Sequence, residues 1–195
     1  MMTINQRFFF CAFLSALCSC QNDKPVKPSN VAVGPLTWTI SADDKFVEMK
    51  GSDSYVAYLI DGRNDTLHIE YGSPAIINNL YVPGVAVFAM SSKDRVIKDA
   101  GQIPTADQVV FSEDPKEDAD LRIFEKNYWL YDTINGIVSK VVQPKKIGDG
   151  ITGIYIPKLK DGMSFSMFGQ NLDSAADQKA LVMFRRIQYK ADSAK

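Results

Sequence analysis

Histidine is nearly missing from this chain: one imidazole, His68, in 195 residues. Any Ser–His pair or imidazole-based metal site would have to use it. Cysteine is scarce as well, with three residues, Cys11, Cys18 and Cys20. Neither sign of charge dominates, since 22 basic side chains stand against 23 acidic ones. Nucleic acid is therefore not an expected partner, because phosphate binding draws on a surplus of Lys and Arg that releases counterions. No stretch approaches 18 consecutive apolar residues, so no segment reads as a membrane-crossing helix. What remains is 46% hydrophobic and 23% charged, the make-up of a folded chain rather than a disordered or collagen-like one.

The first twenty residues carry an address. Met1 to Gln6 has no acidic group, and Arg7 supplies the charge of a short n-region. Phe8 to Cys18 is an apolar run of signal-peptide length, too short to span a bilayer. Leu17-Cys18-Ser19-Cys20 resembles a bacterial lipobox, with an aliphatic residue at −3 and small residues at −2 and −1. The expected division is a lipoprotein signal peptide over 1–19, then a lipidated Cys20. Cys20 is the lipid-attachment residue of this reading. Loss of Cys11 and Cys18 with the leader then leaves no free thiol for a disulfide, a nucleophile or a metal. Each buried acyl methylene contributes about 0.8 kcal/mol, so two or three chains, palmitate among them, anchor the protein to the membrane. Residues 20–30, polar and carrying Pro25 and Pro28, read as a tether. Gln21 follows the lipidated residue where an Asp would signal retention at the inner membrane, so the outer membrane is the expected address.

Residues 31–190 read as one α+β domain, with 191–195 a disordered tail. The domain is expected to be mainly an antiparallel sheet of about six to seven strands, with a C-terminal amphipathic helix on one face. Leu36, Trp38 and Ile40 alternate with Thr37 and Thr39, and Leu67, Ile69 and Tyr71 alternate with Thr66, His68 and Glu70. Met163, Phe165 and Met167 alternate with Ser164 and Ser166 in the same half-buried way. Tyr55 to Ile60 is apolar on both faces and reads as a central strand covered on both sides. Leu121 to Thr133, Ile137 to Gln143 and Ile151 to Ile156 are further strands. Asp61-Gly62, Asn135-Gly136, Asp149-Gly150 and Asp161-Gly162 fall between them as hairpin signals. Asp173 or Ser174 caps a helix whose stripe is Ala176, Ala180, Leu181, Phe184 and Ile187. Ile187 to Lys190 returns as a short edge strand. Within Ser73 to Asp120 the pattern is ambiguous, and Val85 to Met90 fits either a strand or a turn of helix.

Candidate chemistry is thin. Gly148-Asp149-Gly150-Ile151-Thr152-Gly153 matches GxGxxG, but Ile154-Tyr155-Ile156 continues as strand where a phosphate site needs a helix N-terminus. The glycines read as a turn, and no nucleotide or other cofactor is expected. Glu70 and Thr66 share a strand face with His68 and are placed to orient it. Glu113, Asp114, Glu117, Asp118 and Asp120 are oxygen donors, but they lack the EF-hand order and read as a solvated loop, so no metal is expected. Arg185-Arg186 suits the C-terminal end of a helix dipole.

Two blocks, Gly51-Ser-Asp-Ser-Tyr-Val-Ala-Tyr and His68-Ile-Glu-Tyr-Gly, resemble a pairing in small uncharacterised bacterial lipoproteins of Bacteroidota type, which carry GxDSYV and xYG blocks. Asn135-Gly136, Gly150-Ile-Thr-Gly-Ile-Tyr and Phe184-Arg185-Arg186-Ile187-Gln188-Tyr189 are similar to the same proteins. Ala57, Glu70 and Arg186 depart from that pattern. Element order is remotely similar to PsbP/Mog1-type sheets flanked by helices, which are binding or assembly modules. The resemblance implies an interaction surface at Asp53, Ser54, Tyr55, Tyr71 and Gly72. The expected function is that of a membrane-anchored binding or structural module for an envelope protein or polymer. The alternatives are an envelope hydrolase using carboxylates or His68 and a periplasmic inhibitor of a toxin or protease.

Overall fold

Short β-branched and aromatic runs separated by tight turns give this chain its hairpins. The computed structural model describes residues 29–81, 84–101 and 109–190. The leader, Cys20, most of the tether and the tail at 191–195 lie outside the described residues. Strand β1 (Ser29–Val33) pairs with β2 (Leu36–Ile40) through a two-residue turn at Gly34-Pro35. β1 takes in Ser29 and Asn30, so the domain starts two residues inside the stretch read as tether. Then come β3 (Lys45–Met49), β4 (Tyr55–Ile60) and β5 (Thr66–Gly72), an antiparallel meander.

An insertion follows, holding β6 (Ala86–Ala89), helix α1 (Lys93–Ala100), β7 (Val109–Ser112) and helix α2 (Pro115–Asp120). β6 and β7 pair in parallel, apart from the antiparallel pattern of the rest. The second meander is β8 (Asn127–Ile134), β9 (Ile137–Pro144), β10 (Ile151–Ile156) and β11 (Ser164–Gln170). Pairing of β11 with β5 joins the two meanders into one seven-stranded sheet, ordered β3-β4-β5-β11-β10-β9-β8. Helix α3 (Ser174–Phe184) crosses that sheet, and β12 (Gln188–Tyr189) adds to β2 as the third strand of the small sheet. The expected α+β class, its strand count in the main sheet and its C-terminal helix are all present.

The core lies between one face of the large sheet, the β1–β2 hairpin and α3. Trp38, Phe165, Phe184, Ile69 and Ile154 are fully buried there, and Trp38 meets Phe165 edge to face at 5.8 Å. Each such side chain contributes roughly 1.5–3 kcal/mol by leaving water. Asp173 caps α3 as expected, its carboxylate accepting from the Ala175 and Ala176 N–H groups. Thr152 donates to the buried carboxylate of Asp177, tying the helix to β10. At the β8–β9 turn, Asn135 (φ 50°) and Gly136 (φ 79°) both take positive φ, as a two-residue hairpin requires. The Asn135 amide also donates to the Arg185 and Ile187 carbonyls, pinning this turn to the end of α3.

Several expectations are corrected. β4 is next to an edge rather than central: Ala57 and Leu59 are buried, but its other face is half-buried. The strands covered on both faces are β10 and β11, in which Ser164 and Ser166 are fully buried rather than solvent-facing. Ser164 reconciles burial with polarity by donating to the Pro157 carbonyl. The stretch read as one strand from Leu121 begins only at Asn127, since Leu121 to Phe124 is a turn with Arg122 at φ 53°. Ile187 is buried but lies beyond the end of α3. Part of the acidic run is helical, as α2, and Asp118 accepts a hydrogen bond from Ser112.

Candidate functional site

Asp53, Ser54, Tyr55, Tyr71 and Gly72 do come together, because β4 and β5 place Tyr55 directly opposite Tyr71. Their surroundings, however, are those of a joint. Tyr71 donates to the Asp161 carboxylate at 2.7 Å, and Tyr55 to Glu48 at 2.8 Å. Burial, aided by Asp161, pushes the Tyr71 phenol up to about 12; burial and Glu48 raise Tyr55 well above the ordinary tyrosine range. Gly34 (φ 54°) lies against the Tyr71 ring so closely that a Cβ there would come within 2.5 Å of it. Gly72 abuts Ser54 and Ile77. The block thus locks the N-terminal hairpin and the β10–β11 turn to the end of the sheet. Of the five, Asp53 alone is exposed.

His68 sits elsewhere, on the opposite face of the sheet. Its ring meets Tyr58 edge-on at 4.8 Å and stacks on Phe168 at 5.3 Å. Glu70 does not orient it: that carboxylate accepts from the Asn78 N–H at 2.8 Å. Thr66 donates weakly to the Asn64 carbonyl instead.

This opposite face is organised in two cross-strand rows. Strand register aligns Tyr58, His68, Phe168, Gly153, Val142 and Trp129 in one, and Val56, Glu70, Ser166, Tyr155, Lys140 and Tyr131 in the next. Residues 73–81 run over the middle of both rows. Ile77 and Leu80 pack with Val142, Tyr155 and Phe168, and Leu80 fills the space left by the missing side chain of Gly153. Leu80 holds a φ of 50°, a conformation that costs a branched L-residue about 1–2 kcal/mol. Three contacts hold it there: Asn78 Oδ1 accepts from its N–H, Lys140 donates to its carbonyl at 2.6 Å, and its side chain occupies the Gly153 gap.

Beyond this strap the face opens again at β8. Trp129 is flanked by the Arg122 guanidinium at 4.5 Å and the Lys140 ammonium at 5.5 Å from its ring centre, with the Tyr131 ring edge-on at 6.2 Å. Lys145 lies 5.2 Å from the Tyr128 ring and donates to the Arg122 carbonyl. Burial holds the Lys140 ammonium below the usual lysine range. Tyr128 and Tyr131 are each 60% exposed, and Leu130 51%. Aromatic faces clamped by cations offer π-surface and positive charge to a partner. On the core side of the same strand a groove of about 100 Å³ opens between β8 and α3, with Leu130, Leu181 and Phe184 on its apolar part and Asp132, Gln143 and Arg185 on its polar part.

The sequence reading missed this site. Its signal was Tyr128-Trp129-Leu130-Tyr131, four large side chains that point alternately to both faces of a strand ending a sheet. Among the described residues no group of three or more His, Cys, Asp and Glu is placed to hold a metal, and no helix is long and apolar enough to cross a membrane. Comparison with protein-family models, curated proteins and solved structures found no match.

Proposed function

We propose that this chain is a lipid-anchored binding module of the cell envelope, held to the outer membrane through Cys20 and engaging another envelope macromolecule through its β8 end. The observation that carries the second half is the exposure of Tyr128, Leu130 and Tyr131 around a half-buried Trp129, beside Arg122, Lys140 and Lys145. Interfaces concentrate their energy in Trp, Tyr and Arg, and a monomer gains nothing by leaving such residues wet. The first half rests on the Leu17-Cys18-Ser19-Cys20 pattern and the polar spacer behind it. No step of chemistry is assigned, since His68 is packed between aromatic rings and Glu70 is engaged by Asn78.

Two measurements test the reading. Mass spectrometry of the N-terminal peptide from membranes should show a diacylglyceryl group on Cys20; an unmodified chain cut elsewhere sinks the anchor. A photo-crosslinking residue at Tyr131 should yield macromolecular adducts in intact cells, while one at Asp53 should not. Adducts at Asp53 alone would return the binding surface to the GxDSYV block.

A further inference from the structure

The two edges of the large sheet are built differently. β3 ends it on one side with Lys45 and Glu48 exposed in five residues, the short charged edge that discourages strand pairing. β8 ends it on the other side with eight residues, no Lys, no Pro and a single charge, Asp132. Ile134 and Ile137 flank the two-residue turn, so they exchange hydrogen bonds, and the alternation along the strand then turns the N–H and C=O groups of Trp129, Tyr131 and Thr133 outward. Among the described residues none of these groups bonds to another strand. The Thr133 N–H bonds the Asp132 carboxylate at 2.7 Å instead.

We infer that β8 pairs antiparallel with β8 of a second copy of this chain across a two-fold axis at Leu130, making one continuous sheet of two seven-stranded halves. This rests on the binding reading above and names the partner. A two-fold normal to the sheet keeps like faces together, so even-numbered residues must oppose even and odd oppose odd. Outward-facing groups must also meet, so the odd residues form the hydrogen-bonded pairs. With the axis at Leu130, Trp129 stands opposite Tyr131 of the second copy, and Tyr128 opposite its Asp132. Leu130 meets Leu130 beside the groove next to α3.

Each of these pairs is complementary. Trp–Tyr is an aromatic cross-strand pair. Asp132 of the second copy reaches a phenol that already lies beside the Lys145 ammonium, so carboxylate meets hydroxyl and cation. The chain's net charge of −1 opposes such association very little. Moving the axis to Tyr131 would set Leu130 against Asp132 and lose both polar matches.

The test is register-specific crosslinking of the full chain in membranes. Opposed residues of a non-hydrogen-bonded pair have Cα atoms about 4.5 Å apart, within disulfide range. Leu130→Cys should therefore give an oxidised dimer on a non-reducing gel. Co-expressed Tyr128→Cys and Asp132→Cys chains should give a mixed dimer that neither gives alone. Val182→Cys, exposed on α3, should give no more than the unsubstituted chain, which also reports any link through native cysteines. In detergent, light scattering should show two copies, and Leu130→Asp should weaken the dimer about tenfold or more by placing like charges opposite each other. Failure of Leu130→Cys to form a dimer, or equal linking by Val182→Cys, overturns self-pairing. If Tyr131 crosslinks to a different macromolecule in that case, the binding reading stands without self-pairing; if it crosslinks to nothing, both fall.

Discussion

If Tyr55 and Tyr71 hold the fold together rather than meet a partner, Gly34→Ala must destabilise the domain through Tyr71. The Cα of Gly34 has a φ of 54°, which costs an alanine about 1–2 kcal/mol in the left-handed region. The added methyl would also lie 2.5 Å from two ring carbons of Tyr71, forcing the ring away from Asp161 at an overpacking cost of about 1–3 kcal/mol. The combined loss is about 2–5 kcal/mol. In a Tyr71→Ala background the ring is gone, so the same glycine substitution should cost only the backbone share. A double-mutant cycle should therefore return a coupling of about 1–3 kcal/mol. Urea unfolding followed by tryptophan emission measures it, since Trp38 is 2% exposed and must become wet on unfolding. Additive costs, agreeing within about 0.5 kcal/mol, would refute the joint and restore the tyrosines as free surface.

Further outcomes follow from the same geometry. Tyr71 is neutral in the fold up to about 12 against an ordinary value of 10, so the stability this adds is fully present below pH 10 and lost as pH rises through 12. Unfolding curves of the native chain and Tyr71→Phe should therefore converge in that window, and a constant gap between them would contradict it. Asn135→Ala removes two hydrogen bonds to the end of α3 and a residue tolerant of positive φ, and should lower stability by about 2 kcal/mol in chemical denaturation. Thr152→Val leaves the Asp177 carboxyl buried without its hydroxyl partner and should cost about 3 kcal/mol; Thr152→Ser should restore most of it. Gly153→Val drives a side chain into Leu80 and Phe168, and should expose residues 73–81 to faster amide hydrogen exchange while the core strands stay protected.

What the sequence made legible was local. Asn135-Gly136 announces its hairpin because only such residues accept two positive φ values in succession, and Asp173 announces α3 because its carboxylate caps from one position outside. Long-range pairing was not legible. Nothing near Phe168 signals that β11 lies beside His68, a hundred residues earlier in the chain, so the aromatic row across β4, β5 and β11 appears only once the sheet is assembled. β6 and β7 escaped for a related reason: parallel strands share no tight turn whose residues betray them. Ser164 and Ser166 misled in the opposite direction. Alternation with Phe165 and Met167 marks polarity, but in a central strand the polar side is covered too. The five residues first singled out for binding do lie together, yet the contacts that tie Tyr55 and Tyr71 into the fold come from Gly34, Glu48 and Asp161 on other elements.

The covered and open parts of the sheet have one physical origin. One face is closed by α3 and the N-terminal hairpin, which reach from β3 as far as Phe184 and stop short of filling the space above Leu130. The other is closed by residues 73–81, whose last core contact is Leu80 on Gly153 and Val142. Both covers give out at the same strand. β8 therefore carries its large side chains outward on two faces as well as along its edge, a combination that a chain of this length had ample polar residues to avoid, as β3 shows. Arg122 and Lys140 shield Trp129 without hiding it, keeping the strand soluble in a single copy while leaving π-surface for a second strand to cover. Replacing Tyr128 and Tyr131 together by Thr would keep β-propensity and remove the exposed aromatic surface, while Trp129 stays packed on the cluster around Val142. The domain should then lose little stability and all of its crosslinking at position 131's neighbours, whereas a purely structural β8 would unfold more readily and leave crosslinking unchanged.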